Sequence, residues 1–303
     1  MSERLKISLA YIAICTIWGS TWLVIKIGLE TMTPLLSSGL RFILAGMVLL
    51  SIIQYKKIPI PTDRKTVGFL AMVALTSFSV PFALVYWGQQ TVASGVTSIL
   101  FAVFPFCVAI MSTLFLPNER LNASKITGIV IGFSGIVLIF SNDLSIGTSN
   151  DQIFGMIAIV TSALIQAFSA VMIKKHGQSL SPFIVTFIPM SIAGILLISG
   201  SLLVEDLSMV EFTPVGIMSI VFLAVFGSVT TFVSYFWLLK RVEVVLLSLT
   251  SFVTPVIAVI LGVIIYNETI SSQLFAGSAL VLSGILAANA TDIRRFLRSR
   301  FSP

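Results

Sequence analysis

Two stretches decide how this chain is read: Thr33–Leu50, TPLLSSGLRFILAGMVLL, and Ser181–Ile198, SPFIVTFIPMSIAGILLI. Each opens with a hydroxyl residue and a proline and then runs apolar. Each also carries an Ala-Gly pair at the same distance, Ala45-Gly46 and Ala193-Gly194. One coincidence of this kind is weak, but others follow in order. Ser79-Val80 and Tyr86 match Ser228-Val229 and Tyr235, Pro105 matches Pro255, and Asn118-Glu119 matches Asn267-Glu268 after one gap. Gly128 and Gly135 then match Gly277 and Gly284. An ordered series at an offset of roughly 145–150 residues indicates internal duplication.

The composition fixes the solvent around these repeats. Hydrophobic residues make up 57% of the 303 positions and charged residues only 10%, with a mean hydropathy of +1.07. That leaves too little polar surface to cover a water-soluble globule, so an integral membrane protein is expected. Apolar runs of about 20 residues, the length a helix needs to cross the hydrocarbon, lie near 7–25, 34–53, 67–87, 95–116, 124–140, 153–173, 183–204, 214–238, 244–266 and 273–290. The opening MSERLKISLAYIAI mimics a secretion signal but lacks a clear small-x-small cleavage site, and is read as a retained first span.

Charge orients the bundle. With the N-terminus in the cytoplasm, Arg4 and Lys6, Lys56 to Lys65, Arg120 and Lys125, Lys174 and Lys175, Lys240 and Arg241, and the terminal arginines all fall on the inner side. That is sixteen of the eighteen Lys and Arg, and SNDLSIGTSNDQ, EDLSMVEFT and YNETIS on the other side hold none. The pattern predicts a multi-pass protein of the cell membrane with both termini cytoplasmic. The net charge of +6 is spread in short clusters with no continuous basic face, so nucleic acid is not an expected partner. The lipid bilayer is, and RRFLRSR at the end reads as a contact with its anionic inner leaflet.

Five spans per half is an odd number, so the second half must enter from the opposite side. The expected fold is therefore an all-α membrane protein of ten transmembrane helices, two inverted five-helix repeats (residues 1–145 and 146–303) around a central cavity. Such repeats place a substrate site near the midplane.

WGSTW followed by Lys26, LRFILAG with Arg41, and the paired PNERLNASKITGIVIGFSGIVLI and YNETISSQLFAGSALVLSGILAA carry a further signal. On these residues the chain resembles the EamA-type branch of the drug/metabolite transporter superfamily over nearly its whole length. The resemblance implies a ten-helix basket moving small metabolites, often amino acids, usually outward. Its glutamates after spans four and nine match Glu119 and Glu268. The second half departs at TSALIQAF, which stands where the first half has TIWGSTWL, so a role for the tryptophan motif belongs to the first half alone.

Polar side chains deep in a span face another helix or a water-filled path. Arg41 lies seven residues past Pro34, about 10 Å into its span, and reads either as a snorkelling residue or as an anion-binding charge. Lys26 reads as a snorkelling residue or, turned inward with Arg41, as part of an outer ion pair with Glu268, Glu30 or a substrate carboxylate. Glu119 reads as a surface ion pair or cap, with gating as the alternative. Pro105 and Pro255 each remove an amide donor and predict kinks or gates, and Thr97, Ser98, Ser248, Ser251 and Thr254 could satisfy the freed carbonyls or touch substrate.

Trp18, Trp22 and Lys26 recur every four residues and form one slowly rotating stripe. With Thr21 they are candidates for one wall of the path. Tyr86 and Tyr235 could cage an ammonium by cation–π attraction, and Gln166 is a further polar candidate. The glycine-patterned spans predict tight packing within the bundle, with a homodimer as the alternative.

No phosphate-binding loop or zinc-protease signature is present, and the single histidine, His176, sits in the loop KKHGQS. No metal site or cofactor is proposed, and an enzyme is not expected. The expectation is a secondary carrier exporting small organic metabolites, foremost amino acids. The alternatives are a broad exporter of lipophilic or cationic drugs and a passive solute channel on the same fold.

Overall fold

A computed structural model describes residues 3–116, 123–145, 149–239, 241, 250–267, 271–288 and 290. The described residues are helical almost throughout. In order they form α1 (Glu3–Gly28), α2 (Pro34–Tyr55), α3 (Arg64–Val73), a π-helical segment π1 (Ala74–Ser79), α4 (Val80–Gly88), α5 (Ser94–Phe101), α6 (Phe104–Phe115) and α7 (Ala123–Ser145). Then come α8 (Asn150–His176), α9 (Pro182–Val204), α10 (Pro214–Ala224), a second π segment π2 (Val225–Thr230), α11 (Thr231–Leu239), α12 (Thr250–Tyr266) and α13 (Ser272–Ala288). Among the described residues seven helical runs are long and apolar enough to cross a bilayer, from Leu5–Gly28 to Pro214–Leu238. Two shorter apolar runs, Ile126–Leu138 and Val253–Ile265, join them.

Glycines set which helices meet. α2 packs along α9, where a Cβ on Gly39 would stand 2.7 Å from Ile198 and one on Gly194 2.9 Å from Ile43. α7 packs along α13 in the same manner: a Cβ on Gly135 would meet the Gly277 carbonyl at 2.5 Å, and Gly284 lies on Gly128 and Gly132. The glycine pattern thus serves packing inside the chain, because only a missing side chain lets these backbones approach. Gly19 seats α1 on Ile257 of α12, and Gly88 and Gly155 bring α4 onto α8. Cys15 and Cys107 are buried free thiols.

The two ends of the bundle differ in charge. At one end Glu3 and Arg241 pair at 3.3 Å, Lys56 lies 5.8 Å from the Phe183 ring, and Phe69 meets His176. At the other, the Glu205 carboxylate accepts hydrogen bonds from the amides of Leu35 and Leu36 at 2.7 and 3.1 Å. It caps the first turn of α2, where the amides have no partner within the helix. Thr31 joins the same end through the Glu211 amide and the Thr213 hydroxyl.

Prolines do not act alike. Pro105 lies in the first turn of α6, and the fourth apolar run, Ser94–Phe115, is interrupted by a turn at Ala102–Val103 that separates α5 from α6. Pro255 stays inside α12 and Pro189 inside α9. Pro81 is the second residue of α4, with Val80 between it and the end of π1. Its missing amide and its ring, which crowds the carbonyl four residues back, favour the wider π turn there.

Candidate functional site

Arg41 is the centre from which the site is built. It sits on the face of α2 that packs on π2 and α4, and only 2% of it is exposed. Its Nε donates to Ser228 Oγ at 2.8 Å, Nη1 to the Tyr86 hydroxyl at 3.3 Å, and Nη2 to the Gly227 carbonyl at 3.1 Å. The rings of Phe82 and Phe42 lie 4.9 and 5.4 Å from its guanidinium carbon. Among the described residues every partner of this cation is neutral. A guanidinium has five N–H donors, and these bonds use three.

Arg41 therefore does not snorkel to an interface, and its partners come from both halves of the chain. Gly227 and Ser228 lie within π2, where the backbone departs from the regular ladder. The Gly227 carbonyl also accepts from the Thr231 hydroxyl at 2.8 Å. Thr230 at the end of π2 donates to the Val225 carbonyl at 2.9 Å, and Ser79 at the end of π1 donates to the Ala74 carbonyl at 2.9 Å. Both hydroxyls reach five residues back, closing the two π segments with the same bond.

The tryptophan stripe divides. Trp18 meets Phe232 and Tyr235, each with centroids at 5.4 Å, whereas Trp22 meets Phe101 of α5 at 5.2 Å. Thr21 is buried between them, its hydroxyl turned back to the Trp18 carbonyl at 2.8 Å. Its methyl faces Gly227, where a Cβ would stand 2.9 Å away. Tyr86 and Tyr235 do not form one cage: Tyr86 belongs to the arginine, Tyr235 to Trp18.

Lys26 and Arg41 bond successive turns at the C-terminal end of α4. The Lys26 ammonium donates to the carbonyls of Gln89 and Gln90 at 2.9 and 3.3 Å, a favourable place for a cation at a helix C-terminus. Ser98 bonds the Gly95 carbonyl and Thr97 the Ala93 carbonyl, so neither turns to the carbonyl freed by Pro105. Gln166 is half-buried on α8, with no hydrogen bond to the Arg41 group among the described residues. Its neighbour Ser169 shares a 2.6 Å hydrogen bond with Ser77 of π1. Glu119, Ser248 and Glu268 lie outside the described residues, as does the side chain of Ser251.

Sequence reasoning passed over Ser228, Gly227 and Gln89. Ser228 had a signal, since Ser79-Val80 and Ser228-Val229 recur in both halves. Gln89 had none, being near a span end where polarity is unremarkable.

Relatives cover nearly the whole chain. It is 28% identical over 292 residues to the uncharacterized transporter YoaV of Bacillus subtilis (strain 168), spanning 96% of this chain and 99% of that one. It is 28% identical to the protein PagO of Salmonella typhimurium, over 89% and 88% of the two chains. Identity is 29% to the uncharacterized inner membrane transporter YedA of Escherichia coli (strain K12), over 86% and 83%. A solved crystal structure superposes with a TM-score of 0.71 at 18% identity, covering 95% of this chain and 98% of the other, which speaks for the fold alone. The EamA-like transporter family matches residues 5–141 and again residues 153–290. With two such matches over an all-helical membrane bundle, the chain belongs to the EamA-like transporter family.

Proposed function

We propose that this membrane transporter is a secondary carrier for small organic carboxylates, foremost amino acids, exported from the cytoplasm by two inverted five-helix repeats that together make ten spans. One observation carries the reading: Arg41 is buried among neutral partners with two N–H donors unspent. An unpaired charge inside a membrane protein costs several kcal/mol and marks a pathway or binding site. A carboxylate entering from solvent would supply the missing charge through a two-pronged hydrogen bond in the guanidinium plane, while Phe42 and Phe82 flank the cation.

The buried setting of Arg41 fits an occluded state in which neither end of the bundle opens onto it. Basic residues at the Glu3–Arg241 end favour that end as cytoplasmic. A broad exporter of lipophilic cations is the second reading. It would use the Trp18, Phe232 and Tyr235 rings, but a cation drawn to them would approach an uncompensated guanidinium. A passive channel on the same fold would share the architecture without counterflow.

The test is counterflow of labelled amino acids in liposomes containing the purified chain, with Arg41→Met beside it. Saturable exchange that vanishes in Arg41→Met is the expected result. Transport unchanged by that substitution would sink the carboxylate reading, and transport of cations alone would favour the second.

A further inference from the structure

Among the described residues three buried side-chain oxygens have no partner, Thr33 Oγ1, Ser37 Oγ and Gln89 Oε1; the two hydroxyls can donate as well as accept, whereas the glutamine oxygen can only accept. Gln89 is 0% exposed, and its side-chain Nε2 donates to the Trp22 carbonyl at 3.1 Å. Its Oε1 accepts nothing among the described residues. The Trp22 bond pins the amide against α1, so that oxygen is held rather than free to turn toward water.

Gln89 lies three residues after Tyr86, whose hydroxyl accepts from Arg41. Side chains at that spacing are neighbours on a helix face, with Cβ atoms about 5–6 Å apart. Both turn toward α1: Tyr86 packs with Ile25 and Trp22, and Gln89 bonds the backbone of Trp22. The region therefore offers unspent donors on Arg41 and, one helical turn along from its partner Tyr86, an unspent oxygen that can only accept. An anion that fills only the donors leaves the acceptor orphaned. A small molecule that carries a carboxylate and a nearby N–H or O–H would satisfy both.

We propose that Gln89 Oε1 is the second recognition point of the site, accepting a hydrogen bond from an amino or hydroxyl group close to the substrate carboxylate. The site then selects amino or hydroxy acids over plain carboxylic acids. This rests on Arg41 holding the carboxylate. Lys26, whose ammonium is bonded to the backbone carbonyl of the same Gln89, disfavours a charged donor. The partial negative charge of the α4 C-terminus offsets this.

The test uses the purified full chain and two matched sets of probes: L-alanine, L-lactate and propionate, then L-leucine, 2-hydroxy-4-methylpentanoate and 4-methylpentanoate. Binding is measured as inhibition of counterflow and as ligand-induced thermal shift. Within each set the donor-bearing acids should bind about 10- to 100-fold more tightly than the plain acid, the penalty expected for an unmet buried acceptor. Gln89→Met should reduce that preference to within about twofold. Gln89→Glu retains an oxygen acceptor and adds charge, so it should move preference toward the amino member of each set, and it serves if Gln89→Met does not fold. Equal binding of all three members in the wild-type chain, or a preference that survives Gln89→Met, overturns the Gln89 proposal and leaves the Arg41 reading standing. Failure of every carboxylate to bind overturns both.

Discussion

The π segment of the first half and that of the second have the same length and are closed by the same bond, Ser79 to Ala74 and Thr230 to Val225. Each packs beside a helix of the opposite half, π1 on α9 and π2 on α2. They differ in what that helix brings. In the two stretches that revealed the repeat, Arg41 is the ninth residue of one and Pro189 the ninth of the other. Among the described residues the scaffold is thus doubled while the charge is single, and on the proposed reading the transporter has one anion site at the boundary of its halves.

Breaking that asymmetry should have the largest effect. Arg41→Met is expected to lower carboxylate exchange by about 100-fold or more, since a charge-assisted pair is lost. Its unfolding temperature should hold or rise, because an uncompensated buried cation is itself unfavourable. Pro189→Arg does the reverse, presenting a cation to π1, where the Ser79 hydroxyl is already committed to Ala74. A destabilisation of several kcal/mol, read from thermal unfolding in detergent, is expected. Wild-type stability in Pro189→Arg would show that π1 can host a charge as π2 does, and the comparison would fail.

Where the halves agree, matched substitutions should agree too. Gly135 of α7 and Gly284 of α13 each press on the partner helix backbone with no room for a Cβ. Gly135→Ala and Gly284→Ala should each cost about 1–3 kcal/mol, the usual effect of overpacking. Gly68→Ala in α3, with nothing within 4 Å of the new methyl, should be neutral or stabilising by up to about 1 kcal/mol. Unequal losses at Gly135 and Gly284, measured by chemical unfolding, would sharpen the comparison by locating a second asymmetry.

The bonds that close the π segments test whether one is tied to function. Ser79→Ala and Thr230→Val each leave a carbonyl without its hydroxyl partner, at about 1 kcal/mol. Of the two π segments only π2 carries groups that hold Arg41, Gly227 and Ser228. Thr230→Val should therefore also weaken carboxylate inhibition of counterflow several-fold, while Ser79→Ala leaves it unchanged. Equal effects on affinity would mean that both segments serve the site.

Much of this was legible in the sequence because it depends on terms that dominate locally. Spans follow from hydropathy, and the high cost of burying a guanidinium singled out Arg41 as either a snorkelling residue or an anion-binding charge; its burial is what the structure adds. The π segments were not legible. Pro81 gives π1 a local cause, but π2 has no proline and arises where Gly227 admits Thr21 and Arg41, a tertiary condition. Pro105 and Pro255 look equivalent in the chain, yet one starts a new helix and the other sits inside one, because helix continuity depends on packing around the break. Trp18 and Trp22 share a stripe, but four residues along a helix were enough to give them different neighbours.

The smallest expected effect lies at the ends of the bundle, where the halves again use one device with different chemistry. Asp63 caps α3 by accepting from the Thr66 amide at 2.8 Å, and Thr213 caps α10 by accepting from the Gly216 amide at 3.1 Å. The bond from the Thr66 amide, and then that from its hydroxyl, hold the Asp63 carboxyl below the usual carboxylate range. A lowered folded-state value means that the cap contributes fully above the unfolded value of about 3.9 and is lost as pH falls through the folded one. Thr213 does not titrate. On acidification below about pH 4, hydrogen exchange at the Thr66 amide, corrected for its intrinsic rate, should accelerate while Gly216 stays protected. Asp63→Asn, which keeps a capping oxygen without the proton equilibrium, should remove that pH dependence. Loss of protection at both amides together would place the acid-sensitive group elsewhere and leave the two caps equivalent.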